Sequence, residues 1–170
     1  MTYFKMIDSP LGKITLTSDG QNLTGLYFEK QKYSIDDHGY QQDLKIFDLV
    51  EEWLKKYFQG NICPFTFSLS FQGTSFQTMV WQKLLEIPYG HTISYDELAI
   101  EIARITGKKK CPQAIGQAVA HNPIGIIVPC HRVVGKNGNL TGYAGGIEKK
   151  VYLLQKEKVD LSKYYIQERK

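Results

Sequence analysis

A small α/β domain followed by a mainly helical domain carrying a helix-turn-helix is the fold class that this 170-residue chain predicts. Three observations carry it. Short strand-like runs joined by turn residues dominate residues 1–73, capped helical patterns dominate residues 74–170, and the charge divides at the same place. Residues 1–74 hold 7 Lys and Arg against 9 Asp and Glu, a balance of −2; residues 75–170 hold 14 against 8, a balance of +6. A basic second half points to a polyanionic partner. A hydrophobic content of 42%, with 12% aromatics, is enough for packed cores and argues against disorder.

In the first domain, residues 1–7, 12–17 and 23–28 read as strands, with Ser18-Asp19-Gly20-Gln21 supplying a turn between the last two. Residues 30–40, rich in Asp, Lys and Gln, read as a loop. From 41 to 58, Leu44, Phe47, Leu54 and Tyr57 recur at helical spacing, and Gly60 is a stop signal. Phe65, Phe67, Leu69 and Phe71 then alternate with Thr66, Ser68 and Ser70, the period of a half-buried strand. The boundary falls at Gln72-Gly73-Thr74.

In the second domain, Thr74 or Ser75 caps a helix over 76–86, which Ile87-Pro88-Tyr89-Gly90 ends. Ser94-Tyr95-Asp96-Glu97 has the form of a capping box, opening a helix whose apolar stripe is Leu98, Ile102 and Ile105. The basic stretch Lys108-Lys109-Lys110 leads to Pro112, suited to a first helical turn, and a helix over 113–121. Two helices with a Gly-containing connector suggest a helix-turn-helix. Ala114, Gly116, Ala118 and Ala120 make the second of them thin, a composition that suits tight packing on another helix or close approach to a ligand. The β-branched run Ile124 to Val128 reads as an interior strand, stopped by Pro129.

That strand would deliver Cys130 to the end of a rigid element beside His131. Only the thiolate is a strong nucleophile, and a free thiol ionises near ~8.5, so an adjacent base matters. The competing reading is a buried structural thiol. Three cysteines without Cys-x-x-Cys spacing, and isolated His38 and His91, exclude a disulfide framework and a zinc site; neither metal nor cofactor is expected. No apolar stretch approaches the ~18 residues of a membrane span, so a cytoplasmic location is expected.

The pentapeptide Pro129-Cys130-His131-Arg132-Val133, with Asn122-Pro123 before it and Gly142-Tyr143-Ala144-Gly145-Gly146 after it, resembles the O6-alkylguanine-DNA alkyltransferase (methylated-DNA–protein-cysteine methyltransferase) family. The likeness extends over about residues 74–157, from Thr74-Ser75-Phe76 to Leu153-Leu154-Gln155-Lys156-Glu157. It implies a ribonuclease H-like first domain, a winged helix-turn-helix in the second, and direct reversal of damage by irreversible, single-turnover alkyl transfer from guanine O6 to Cys130. O4-alkylthymine is a further substrate the family allows.

By the same resemblance His131 is the base, reached through a bridging water. Glu157 orients its imidazole, and Asn122 ties the helix end to the active-site segment. The guanine is flipped out of the duplex, because a buried thiol cannot reach a stacked O6. Tyr95 presents a hydroxyl to the base edge, the carbonyls of Cys130 and Val133 accept from its exocyclic amine, Tyr143 forms a wall, and the Ala144 amide faces O6. The thin helix, through Gln113, Ala114 and Gly116, enters the minor groove of double-stranded DNA, the protein acting as a monomer away from membranes. One residue departs from the family: Gln113 stands where an arginine usually fills the space the base leaves. The expected consequence is weaker extrusion, or a compensating contact from Lys108 to Lys110. Arg132 reads as a brace between segments.

Two other functions fit parts of the pattern. A cysteine hydrolase would use the same Cys-His-Glu set but needs an oxyanion hole, for which no separate motif is present. A lesion-binding relative without catalysis would lack the cysteine, which is present here.

Overall fold

A computed structural model of the chain describes residues 1–32, 38–140 and 142–167. They divide into two compact units, Met1–Gln72 with Pro123–Gly125, and Gly73–Asn122 with Ile126–Lys170. Three residues from the middle of the second stretch of sequence thus belong with the first unit.

The first unit is a four-stranded sheet with one long helix. Strands β1 (Tyr3–Ser9), β2 (Gly12–Ser18) and β3 (Leu23–Phe28) form an antiparallel meander, and β4 (Tyr40–Gln41) adds in parallel beside β1, giving the order β3-β2-β1-β4. Ile14 and Leu16 on β2 and Leu23, Leu26 and Phe28 on β3 are buried. Helix α1 (Lys45–Phe58) buries Ile46, Phe47, Val50, Leu54 and Tyr57, one stripe of its surface. Gly60 follows in the left-handed conformation, φ 87°, which costs glycine nothing. Residues 41–44 do not join this helix as expected, because Tyr40 and Gln42 donate their amides to the carbonyls of Thr2, just before β1, and Phe4 on it. The loop expected over 30–40 falls partly on residues 33–37, which lie outside the described residues.

The strand expected over 65–71 does not form. Its alternation is real, with Phe67 buried between exposed Thr66 and Ser68, but only Leu69 bridges to Leu23. Leu23 donates to Ser68 and accepts from Ser70, so one residue of β3 holds the segment and the rest stays irregular. The period reports burial on one side; it does not guarantee a ladder.

In the second unit, α2 (Ser75–Leu84) starts at a full capping box: Thr74 accepts from the Gln77 amide while Gln77 accepts from the Thr74 amide. Helix α3 (Tyr95–Thr106) is capped by Ser94 and ends at Gly107, φ 70°, whose amide bonds Ala103. Helix α4 (Pro112–Ala120) has Pro112 in its first turn. Trp81 on α2 donates its indole N–H to the Ala118 carbonyl at 2.8 Å, joining α2 to α4. Strand β5 (Ile93–Ser94) pairs in parallel with β6 (Val133–Val134), and α5 (Ile147–Lys156) packs its Leu154 into one core cluster with Val134 and Leu140. Ile105 breaks the predicted α3 stripe, being 53% exposed, while Ala99 takes a buried place beside Leu98 and Ile102. No helix of the described residues is long and apolar enough to cross a membrane.

Candidate active site

The run from Ile124 to Val128 is not a strand. Ile124 makes one bridge to Leu26, and then Ile126, buried and β-branched, takes φ 66° in the left-handed region. Such a backbone is a strained outlier for a β-branched residue, of the kind that persists where packing over-determines it. The turn ends the extended run, and Cys130–Arg132 form a single 3-10 turn, with Arg132 donating to the Pro129 carbonyl at 3.0 Å. Cys130 therefore sits on a tight turn and not at a strand end. Consecutive side chains on such a turn diverge by about 120°, so Cys130 and His131 point into different surroundings.

Asn122, at the end of α4, fixes the approach to this turn. Its amide donates to the Val128 carbonyl at 2.8 Å and also hydrogen-bonds toward the Cys130 sulfur. Cys130 is buried, and burial pushes its thiol above the ordinary value. Asn122, the Lys150 ammonium and the Tyr143 hydroxyl pull the other way, each favouring the thiolate. At rest the group is a thiol inside a set of groups that stabilise its anion.

Glu157 is the hub beneath it. One carboxylate oxygen accepts from the amide of Gly90 at 3.0 Å and from Arg132 Nε at 2.8 Å; the other accepts from His131 Nε2 at 2.6 Å and Arg132 Nη2 at 3.0 Å. Burial opposes ionisation here, yet His131 and Arg132 hold the carboxyl well below the usual carboxylate range. Arg132 spends its remaining fork on the Ile87 carbonyl at 2.6 Å, bracing the end of α2.

The charge on Glu157 sets the histidine tautomer. Burial lowers the His131 pKa, so the ring is neutral, and a carboxylate partner requires the hydrogen on Nε2. Nδ1 then carries the lone pair. It is buried and has no hydrogen-bond partner among the described residues. A buried basic nitrogen of this kind is where a proton-relaying water would sit.

Two tyrosines line the thiol. Burial, then the neighbouring Cys130 charge, pushes Tyr95 up to about 12, and its hydroxyl has no hydrogen-bond partner among the described residues. It stands 3.9 Å from where a Cβ at Gly142 would lie. Tyr143 is raised further, by burial and by Cys130. Both remain phenols, able to donate. Ala144 is half-buried in the same loop, while Val133, at the start of β6, has its carbonyl occupied by Lys150 Nζ at 2.7 Å.

The DNA-facing candidates lie on α4. Gln113 is exposed in the first turn, Ala114 is half-buried, and a Cβ built at Gly116 meets no heavy atom within 4 Å. Tight helix packing therefore does not account for Gly116. Buried Ile115, Ala118 and Val119 face inward instead. Of the three connector lysines, Lys110 is tied to Asp96 at 2.7 Å.

Sequence reasoning missed Lys150, Gly90 and the Ile87 carbonyl. Lys150 had a signal: it lies three and four residues before Leu153 and Leu154, on the buried stripe of α5. The backbone groups had none. The Ser94 cap differs from the expected box, because Glu97 accepts from the Ser94 hydroxyl at 3.2 Å and its bond to the Ser94 amide is absent among the described residues. Among the described residues, no three His, Cys, Asp or Glu side chains converge on a metal position.

Family models match both parts of the chain. The DNA binding domain of 6-O-methylguanine DNA methyltransferase matches residues 75–159, and its ribonuclease-like domain matches residues 2–71. A methylated-DNA–protein-cysteine methyltransferase of Mycobacterium tuberculosis is 44% identical over 158 residues, 93% of each chain. One from Haemophilus influenzae is 42% identical over 159 residues, 92% of this chain and 87% of that protein. Among solved structures, Mycobacterium tuberculosis OGT in complex with DNA is similar with a TM-score of 0.82 at 44% identity, covering 92% of both chains.

Proposed function

The chain belongs to the 6-O-methylguanine DNA methyltransferase family and repairs DNA by moving a methyl group from the damaged base to a cysteine; we propose that this cysteine is Cys130. The observation that carries the assignment is the pairing of a buried thiol, surrounded by anion-stabilising groups, with a neutral His131 whose basic Nδ1 is unpartnered. Of the other two cysteines, Cys111 is exposed and Cys63 is half-buried.

The substrate is O6-alkylguanine, extruded from the duplex on the minor-groove side by α4 and received between Tyr95, Tyr143 and the Val133 backbone. The protein acts as a monomer. A water passes the Cys130 proton to His131 Nδ1, and the Glu157 carboxylate stabilises the imidazolium through Nε2–H. The thiolate attacks the alkyl carbon, forming the S–C bond as the C–O6 bond breaks. The bonding pair stays with guanine, whose N1 recovers the proton, and the Tyr95 hydroxyl donates to the base edge as charge develops. The alkyl thioether has no good leaving group, so each chain reacts once.

The test is a count of repaired lesions with O6-methylguanine duplex in tenfold excess over protein. Repair should stop at one lesion per chain and be absent in Cys130→Ala. Continued turnover, or repair by the alanine variant, overturns the assignment.

A further inference from the structure

Helix α4 carries no ionisable side chain from Pro112 to Ala120, and its outward positions Gln113, Gly116 and Gln117 are all neutral. Phosphate contacts supply much of a protein's affinity for duplex DNA, so a neutral helix needs positive charge beside it. The sequence concentrates such charge around α4. Between Glu101 and Glu148 there is no Asp or Glu, while Arg104, Lys108, Lys109, Lys110, Arg132 and Lys136 all fall in that stretch.

Most of these cations are committed within the protein. Arg104 pairs with Glu101 at 3.3 Å, Lys110 with Asp96 at 2.7 Å and Arg132 with Glu157 at 2.8 Å. Lys108 and Lys109 are exposed and have no ion pair among the described residues. Lys136 is in the same state but stands on the turn after β6, whereas Lys108 and Lys109 lead directly into α4.

The connector that carries the two lysines is held at both ends. Thr106 donates its hydroxyl to the Ile102 carbonyl at 2.9 Å and accepts from the Lys108 amide at 3.2 Å. At the far end, Lys110 is tied to Asp96 in the first turn of α3. Lys108 and Lys109 also border a cavity of about 280 Å³ with Phe76, Met79, Ile102 and Ile115, an apolar floor for their stems. A connector ordered in this way has less freedom to lose on binding. We propose that Lys108 and Lys109 grip phosphates of the duplex where α4 begins, supplying the charge that the helix lacks, while Lys110 acts only as the brace. This rests on α4 facing the DNA, as in the function proposed above. Ammonium groups on phosphates read no base, so the grip is the same on damaged and undamaged DNA.

The experiment titrates the double variant Lys108→Gln/Lys109→Gln with undamaged duplex over a range of salt. Lys45→Gln/Lys55→Gln, at exposed positions of α1, lowers the net charge equally and serves as the control. The slope of log affinity against log salt should become shallower by about 2 in the connector variant, and affinity at about 0.1 M salt should fall at least tenfold. The α1 variant should match the parent, and melting should be the same in all three proteins. Repair of an O6-methylguanine duplex at saturating protein should keep the parent's rate, because phosphate contacts position the duplex and do no chemistry. An unchanged slope in the connector variant, or an equal loss in the α1 variant, overturns the proposal. Binding of undamaged duplex involves no alkyl transfer, so this result stays separate from whether Cys130 is the acceptor.

Discussion

Replacing Glu157 with Gln alters one atom of the buried hub and tests how His131 is prepared. In the parent, every neighbour of the carboxylate is a donor: the Gly90 amide, two nitrogens of Arg132 and His131 Nε2. A glutamine must turn its own NH2 toward one of them. The guanidinium cannot accept, so the least costly answer is for His131 to switch tautomer, accepting at Nε2 and carrying hydrogen on Nδ1. The relay is then blocked at the atom meant to take the thiol proton. Losing a positioned base costs roughly 10²–10⁴-fold in rate. Arg132 also loses its counter-charge while still bonded to Ile87, and stripping one partner from a buried pair costs about 3–5 kcal/mol. Single-turnover repair of an O6-methylguanine duplex, measured below the melting temperature of the variant, should fall by at least about a hundredfold. Melting should be lower than in the parent, and 15N spectra should show protonation moving from Nε2 to Nδ1. A folded Glu157→Gln variant repairing within a factor of three of the parent refutes the reasoning.

Three further outcomes follow from the same geometry. Gly116→Leu should leave melting unchanged or raised, since its Cβ enters open space and leucine favours a helix by about 1 kcal/mol over glycine; duplex affinity should nonetheless fall at least tenfold in a titration, and unchanged affinity would remove α4 from the interface. Gln113→Arg should speed repair in duplex DNA without changing Cys130 alkylation by iodoacetamide, and equal repair rates would show that extrusion is not limited at this position. Stability should fall on acidification in two overlapping stages. His131, lowered by burial, contributes above its unfolded value of 6.5, and that contribution is lost as pH falls below it, because the unfolded ring takes up a proton first. Glu157, held low, contributes above 4.5 and loses that contribution at more acid pH. Melting temperatures flat from neutrality to pH 4 would contradict the sign for His131, and melting temperatures flat from pH 4.5 to pH 2 the sign for Glu157.

Local chemistry made much of this readable. The Thr74 cap, the Ser94 cap and Pro112 each act within a few residues, and each appears where its side chain or φ preference places it. The misreadings have a common cause. Residues 65–71 and 124–128 show the burial pattern of strands, but a ladder also needs a partner's backbone along its length, and each finds one bridge. Ile126 adopts a backbone that its own preferences disfavour, a choice made by packing at the site. Lys150 was hidden for a related reason: a lysine on an apolar stripe usually extends its ammonium to water, whereas here two backbone carbonyls receive it. Cys130 beside His131 was legible from the residues, and Glu157 was named from a resemblance. The structure adds what spacing could not: Nε2 of His131 meets the Glu157 carboxylate, 26 residues away in sequence, and Nδ1 has no partner among the described residues.

The most direct test of the central claim is to mix the protein with an equal amount of duplex carrying one O6-methylguanine and map the methyl group by mass spectrometry of its peptides. The account predicts one methyl on the peptide bearing Cys130, none on those bearing Cys63 or Cys111, and unmodified guanine restored in the DNA. A methyl on another residue, or a repaired duplex with Cys130 unmodified, would contradict it.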